Sequence, residues 1–166
     1  MKINFKVIIS SCVLATVLFI FYLGLSTTTQ YNTKDMVGKK LNSSQIDSLT
    51  ENILIENSFI LINFWASWCL PCRKEHKHLL ELKTNNKLTL VGINYKDKKK
   101  NASKFLKDLG NPYEYLKNDI EGKISVLFGI YGIPESILID NNLKIIKKFI
   151  GPLNEKDYEK IINILN

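Results

Sequence analysis

Arginine is almost missing from this chain: among 23 basic residues Arg73 is the single arginine, and the rest are lysines. Cysteine is scarce too. Cys12, Cys69 and Cys72 are three in all, too few for a disulfide-built scaffold. There is one Cys-x-x-Cys and no second one to close a zinc site. Internal repeats and low-complexity tracts are absent. Apolar residues at 45% and charged residues at 23% exclude a disordered or collagen-like chain. Acidic residues number 16, which leaves a net charge of +7. The lysines are dispersed. Their densest run, Lys96 to Lys100, contains Asp97 and leads into a predicted helix, so it reads as a solvated face and not as a nucleic-acid site.

One long apolar run is present. Val7 to Leu25 is a stretch of 19 residues without a charge. As a helix rising about 1.5 Å per residue it nearly spans a hydrocarbon core of about 30 Å. Lys2 and Lys6 precede it and no acid does. The positive-inside rule therefore keeps the N-terminus in the cytoplasm and exports the remainder. Residues 1–26 are read as a membrane anchor, the alternative being a cleaved signal with Gly24 and Ser26 as its small residues. Ser10-Ser11-Cys12 superficially resembles a lipoprotein box. The apolar stretch follows Cys12 instead of leading into it, so Cys12 is read as a small apolar residue in the membrane. Without Lys2 and Lys6 the exported part keeps +5 of the +7 charge. Residues 27–35 are polar and read as a tether.

Beyond a weakly patterned stretch to residue 57, Phe59 to Trp65 is a continuous β-forming run, as in a strand covered on both faces. A helix is predicted over 71–83, a second buried strand over 88–93 and a helix over 97–110, with Asp97 as N-cap and Gly110 as stop. Ser136 to Asp140 and Leu143 to Ile150 form a predicted hairpin about Asn141-Asn142. Asn154 caps a last helix. Stretches near Tyr113 and Ser125 stay unassigned. Parallel strands joined by helices and finished by an antiparallel pair give an α/β sandwich around one sheet.

The chemistry lies where the first buried strand meets the first helix, at Trp68-Cys69-Leu70-Pro71-Cys72. Free amides and the dipole of a helix N-terminus favour the thiolate of Cys69, and only a thiolate attacks a disulfide. Cys72, with two residues between it and Cys69, is placed to resolve the mixed disulfide. Pro71 suits an early helical position, and Arg73 and Lys74 add positive potential. A purely structural disulfide closing so short a loop would constrain little of the unfolded chain. His76 and His78 point about 200° apart on a helix and cannot share a metal ion, so they are read as solvated helix residues. Taking Cys72 as zero, Leu79 lies at about −20°, Glu75 at about −60° and Leu82 at about −80°. Glu75 thus falls on the apolar stripe beneath the cysteines. A carboxyl there is expected to have a raised pKa and to hold or pass a proton as a thiolate leaves. Pro134, in Ile133-Pro134-Glu135, is either a strand-start proline or a cis-proline packed against the cysteine pair.

Phe64-Trp65-Ala66-Ser67-Trp68-Cys69-Leu70-Pro71-Cys72 resembles the thioredoxin superfamily signature, and the likeness runs over residues 36 to 164. More narrowly, the chain resembles the membrane-anchored DsbE/CcmG family of thiol–disulfide reductases of cytochrome c maturation. Four stretches carry this: Cys72 to His76, Gly92-Ile93-Asn94-Tyr95-Lys96-Asp97, Leu109-Gly110-Asn111-Pro112-Tyr113 and Tyr131-Gly132-Ile133-Pro134-Glu135. The resemblance implies a thioredoxin-like fold over residues 36–166, a central mixed sheet flanked by helices behind an N-terminal transmembrane helix. It implies Cys69 as nucleophile, Cys72 as resolving thiol and Pro134 as the cis-proline opposite them. Glu75 and Glu135 would make an acidic site, and Asn63 replaces the buried Asp of thioredoxins. Trp68, Tyr131, Asn94, Tyr95 and Glu135 would line a substrate groove. Between the anchor and Phe59 the chain is shorter and less regular than the family's N-terminal hairpin.

The function so implied is that of an inner-membrane, single-pass protein with its catalytic domain in the periplasm. It would keep the haem-binding cysteines of apocytochrome c, or of a maturation partner, reduced. Electrons would come from a transmembrane thiol reductant of the DsbD/CcdA kind, and no metal or organic cofactor is required. Two other readings are a TlpA/ResA-like reductase for other exported clients and a non-catalytic module that binds apocytochrome. A DsbA-like oxidant fits less well, because a buried Glu75 opposes additional thiolate charge.

Overall fold

The computed structural model describes residues 5–26, 36–49 and 59–166. The expected tether, 27–35, lies outside the described residues. Met1–Asn32 and Thr33–Asn166 are separate units. In the first, α1 (Phe5–Ser26) contains Lys6–Leu25, 20 residues long and apolar enough to cross a membrane. Two of its hydroxyls bond back to carbonyls of the same helix. Ser11 Oγ donates to Ile8 O at 2.9 Å and Thr16 Oγ1 to Cys12 O at 2.8 Å, as a helix in an apolar phase requires.

The second unit runs α2 (Ser43–Leu49), β1 (Phe59–Trp65), α3 (Leu70–Leu82), β2 (Leu88–Tyr95), α4 (Lys99–Leu109), β3 (Tyr115–Asp119), α5 (Lys123–Leu127), β4 (Glu135–Asp140), β5 (Ile145–Ile150) and α6 (Glu155–Leu165). The sheet order is β3-β2-β1-β4-β5. β1, β2 and β3 are parallel, and β4 and β5 are antiparallel additions on the other side of β1. Residues alternate across β1 as a pleated strand demands. Leu61 and Trp65 join Leu79, Leu82, Phe105 and Ile161 in one core, whereas Ile60, Ile62 and Phe64 join Phe128, Ile137 and Ile139 in another. Asn63 shares the parity of Leu61 and Trp65, so it faces the core beneath α3.

Several boundaries differ from the expectation. β2 continues to Tyr95 because β3 pairs with its end, from Val91↔Tyr115 to Tyr95↔Asp119. β3 and α5 fill the unassigned stretches; each is five residues long, too short to imprint a period. Asp97 does not cap α4. The cap is Lys98, without a side-chain bond, because the Asp97 carboxylate is engaged elsewhere. β5 begins at Ile145, since Asp140 Oδ1 accepts the amides of Asn142 and Lys144, each at 2.9 Å, and Leu143 takes φ 61. The described part of the segment ahead of β1 forms no hairpin. It pairs with the approach to β5 instead: Gly38 N donates to Ile145 O, Ile145 N to Lys39 O, and Leu41 N to Leu143 O.

Candidate active site

β1 ends at Trp65 and α3 starts at Leu70, so the cysteine pair straddles the strand-to-helix turn. Cys69 is the N-cap of α3, and its Sγ accepts the Cys72 amide at 3.2 Å. Pro71 occupies the first turn, where an N–H has no helical partner. Cys69 and Cys72 are joined by a disulfide of 2.03 Å, and both residues are buried. The helix N-terminus thus directs an amide onto the sulfur that must carry charge when reduced. The Ile133–Pro134 peptide, directly ahead of β4, is cis.

Glu75 is fully buried one turn below Cys72, as its helical phase requires. Burial raises its carboxyl pKa from 4.5 to about 7, outweighing hydrogen bonds that lower it. Those bonds come from Leu153 N to Oε2 at 2.8 Å and Asn63 Nδ2 to Oε1 at 2.8 Å. Asn63 Nδ2 also donates to Ser136 Oγ at 3.0 Å, and Asn63 Oδ1 accepts from Tyr113 Oη at 2.7 Å. The acid is therefore held by β1, β4, the β3 approach and the loop before α6. Tyr113 and Ser136 were not singled out as site residues. Tyr113 carries a signal in hindsight, because it closes the Gly110-Asn111-Pro112-Tyr113 stretch.

The expected acidic site is not one site. Glu135 stands opposite Phe64 while Ser136 stands opposite Asn63, so Glu135 leaves the sheet on the face away from Glu75. It is also buried, and not a groove-lining side chain. Its Oε1 accepts the amides of Tyr131 and Gly132, each at 3.1 Å, and its Oε2 lies 2.8 Å from Lys148 Nζ. Asn94 is likewise removed from the groove: it is buried and donates to Asp97 Oδ2 at 3.1 Å. Tyr95 is half-buried under Lys96, and Trp68 and Tyr131 remain exposed, at 59% and 77%.

His76 and His78 are not solvated. His76 is buried against Phe105 with Nε2 2.9 Å from Gly110 O, and burial lowers its pKa. His78 is buried beside Tyr158, between Glu81 and Glu155. Helical phase separated them correctly but says nothing of neighbours that arrive from α4 and α6. Arg73 lies over the Phe105 ring at 4.7 Å.

Asp97 fastens the turn itself. Its carboxylate accepts Ser67 N at 2.6 Å, Ser67 Oγ at 3.0 Å, Asn94 Nδ2 at 3.1 Å and Lys98 N at 2.8 Å. Burial works to raise its pKa, but these bonds prevail and hold it below the usual value. Next to it Lys96 O accepts Trp68 Nε1 at 3.2 Å. Both residues ahead of Cys69 are thus tied to the end of β2.

A mixed sheet carrying a Cys-x-x-Cys at the head of its first crossover helix, with a cis-proline directly ahead of its first antiparallel strand, defines a thioredoxin-like thiol–disulfide oxidoreductase. Residues 33–162 match the family described as Redoxin. The chain is similar to the thiol:disulfide interchange protein DsbE of Escherichia coli (strain K12), 36% identical over 78% of this chain and 74% of that one. Over 78% of this chain and 77% of its own length, HelX of Rhodobacter capsulatus is 35% identical. CycY of Rhizobium leguminosarum bv. viciae is 48% identical over 59% of this chain, which spans about half, 53%, of its length. Among solved structures, a DsbE from Chlorobium tepidum superposes with a TM-score of 0.61 at 26% identity, covering 78% of this chain and 98% of that one. The chain belongs to the redoxin family, within its DsbE/CcmG group of thiol:disulfide interchange proteins.

Proposed function

We propose that the protein is a periplasmic reductant of cytochrome c maturation, held in the inner membrane by residues 1–26 and a tether at 27–35, with residues 36–166 as its catalytic domain. The observation that carries this is the cysteine pair on the N-terminus of α3 with a buried acid one turn below it. The reduced Cys69 thiolate attacks one sulfur of a client disulfide. A Cys69–client disulfide forms, and the second client sulfur leaves as a thiolate that takes up a proton. Cys72 then loses its proton to Glu75 and attacks Cys69 Sγ. The client's first sulfur leaves as a thiolate and takes up that proton from Glu75, so the client departs with two thiols and Cys69–Cys72 is left oxidised by two electrons. Pro134 closes the site opposite the pair, and the exposed Trp68 and Tyr131 are the contact surface for the client. The client is an apocytochrome c Cys-x-x-Cys-His segment or a maturation partner that carries one. A transmembrane thiol reductant of the DsbD/CcdA kind restores the electrons.

The test is the Cys69–Cys72 potential in a thiol redox buffer, with reduction of a disulfide-closed Cys-x-x-Cys-His peptide. A potential at or below about −200 mV with peptide turnover supports the reading, and one near about −120 mV overturns it. Cys69→Ser should abolish turnover, whereas a binding module would keep working. Cys72→Ser should accumulate the mixed disulfide on Cys69.

A further inference from the structure

The Tyr113 ring lies flat on β2 at Gly92. A Cβ at Gly92 would come within 2.7–2.9 Å of three ring carbons, so a glycine is required there. The ring also stacks on Trp65, with centroids 5.5 Å apart and planes at 23°. Gly92 is the register partner of Asn63. This seat brings the Tyr113 hydroxyl to 2.7 Å from Asn63 Oδ1. An amide has two ends of opposite character, and the carboxyl of Glu75 reads whichever end faces it. With Oδ1 taken by the phenol, Nδ2 is left for Glu75 Oε1 and Ser136 Oγ.

We propose that Tyr113 is a positioning residue: by donating to Asn63 Oδ1 it fixes the amide so that Nδ2 is presented to Glu75, and thereby sets how readily Glu75 releases its proton. A donor facing the acid favours the carboxylate, and an amide turned the other way would accept from the carboxylic acid and favour the protonated form. Two stretches that single this chain out, Gly92 to Asp97 and Leu109 to Tyr113, then share one purpose. The glycine makes the seat and the tyrosine uses it.

The other groups that face Glu75 do not supply this control. The Leu153 amide donates to the opposite oxygen, and Ser136 reaches the acid through Asn63. On α3 itself the Cys69–Cys72 pair precedes it by a turn. His76 and His78 point to other sides of the helix, toward Gly110 and toward Glu81 and Glu155. Glu135 and Lys148 belong to the far face of the sheet.

The proposal rests on the proton-accepting role of Glu75 for its consequence in exchange, but not for its test. In the oxidised full-length protein in detergent the active-site thiols do not titrate. The Glu75 carboxyl carbon is then followed by NMR with ¹³C-labelled glutamate, assigned by its loss in Glu75→Gln. Tyr113→Phe keeps the ring, its stack and its seat, and removes the hydroxyl alone. Its Glu75 midpoint should rise by about one pH unit, the size of one lost hydrogen bond to a charged group. Asn63→Ala should raise the midpoint as well, and Tyr113→Phe should add nothing in that background. An unmoved midpoint in Tyr113→Phe, or additive shifts, overturns the proposal. If the midpoint moves while the pH profile of disulfide exchange stays put, Tyr113 positions Asn63 as proposed, and the role of Glu75 in exchange is the part that fails.

Discussion

Glu135 and Lys148 form an ion pair at 2.8 Å with both side chains shut away from solvent. Lys148 Nζ also donates to Gly129 O at 2.7 Å, so the pair braces the loop that ends in Pro134 from both sides. Removing one charge leaves the other buried without its counter-ion, which costs about 3–5 kcal/mol. Lys148→Met should lose stability on that scale in urea unfolding. Glu135→Gln combined with Lys148→Met should recover most of it, and a double variant no better than the single one would contradict the account.

Glu75 makes stability depend on pH in a defined direction. Burial raises its pKa from 4.5 to about 7, so the folded chain keeps a proton that the unfolded chain gives up. Between those two values the folded state binds more protons, and its stability must fall as pH rises through the window, levelling above about 7. The full effect is on the order of 3 kcal/mol. Thermal unfolding of the oxidised protein from pH 4.5 to 8 should show this decline, and Glu75→Gln should flatten it. A variant with an unchanged slope would place the proton elsewhere.

Asp97 should act oppositely and at lower pH. Its pKa is held below 3.8 in the folded chain, so its contribution is present above that value and fades as pH falls beneath it. Asp97→Ala strands the Ser67 and Lys98 amides and should cost about 2 kcal/mol. Trp68 is expected to lose its hold on Lys96 O, so its fluorescence should become more mobile in anisotropy while that of buried Trp65 does not. Unchanged anisotropy would show that the turn is fixed by something else.

Gly92→Ala tests the seat of Tyr113 while leaving every polar side chain of the network in the chain. The new methyl must displace the ring, and overpacking of this kind costs about 1–3 kcal/mol. Near-ultraviolet circular dichroism should register the disturbed Trp65–Tyr113 stack. A spectrum identical to that of the parent chain would mean that the ring has room to yield.

Much of this site was legible in the residues because it depends on local periodicity. Helical phase alone put Glu75 beneath the cysteines, and the strand-to-helix position of Cys69 followed from the change of pattern at Trp65. What escaped was set by partners distant in sequence. Two of the four hydrogen bonds to Asp97 come from Ser67, 30 residues away, so a capping rule that inspects only neighbours assigns it to α4. Burial of His76 and His78 depends on α4 and α6 covering α3. Glu135 looked like a companion of Glu75 until the β1–β4 register placed it on the other face. β3 and α5 were too short for their period to register.

The pairing of Gly38 to Leu41 with the start of β5 has a consequence for the edge of the sheet. A β-strand with a free rim offers its amides and carbonyls to any other strand that passes, and this is a common route to aggregation. Here the start of that rim, at Leu143 to Ile145, is taken by Gly38 to Leu41. A shortened chain starting beyond Leu41 would keep its cysteines, its buried acid and its cis-proline, yet it would bare the backbone of Leu143 to Ile145 and so lengthen the edge offered to a neighbour's strand.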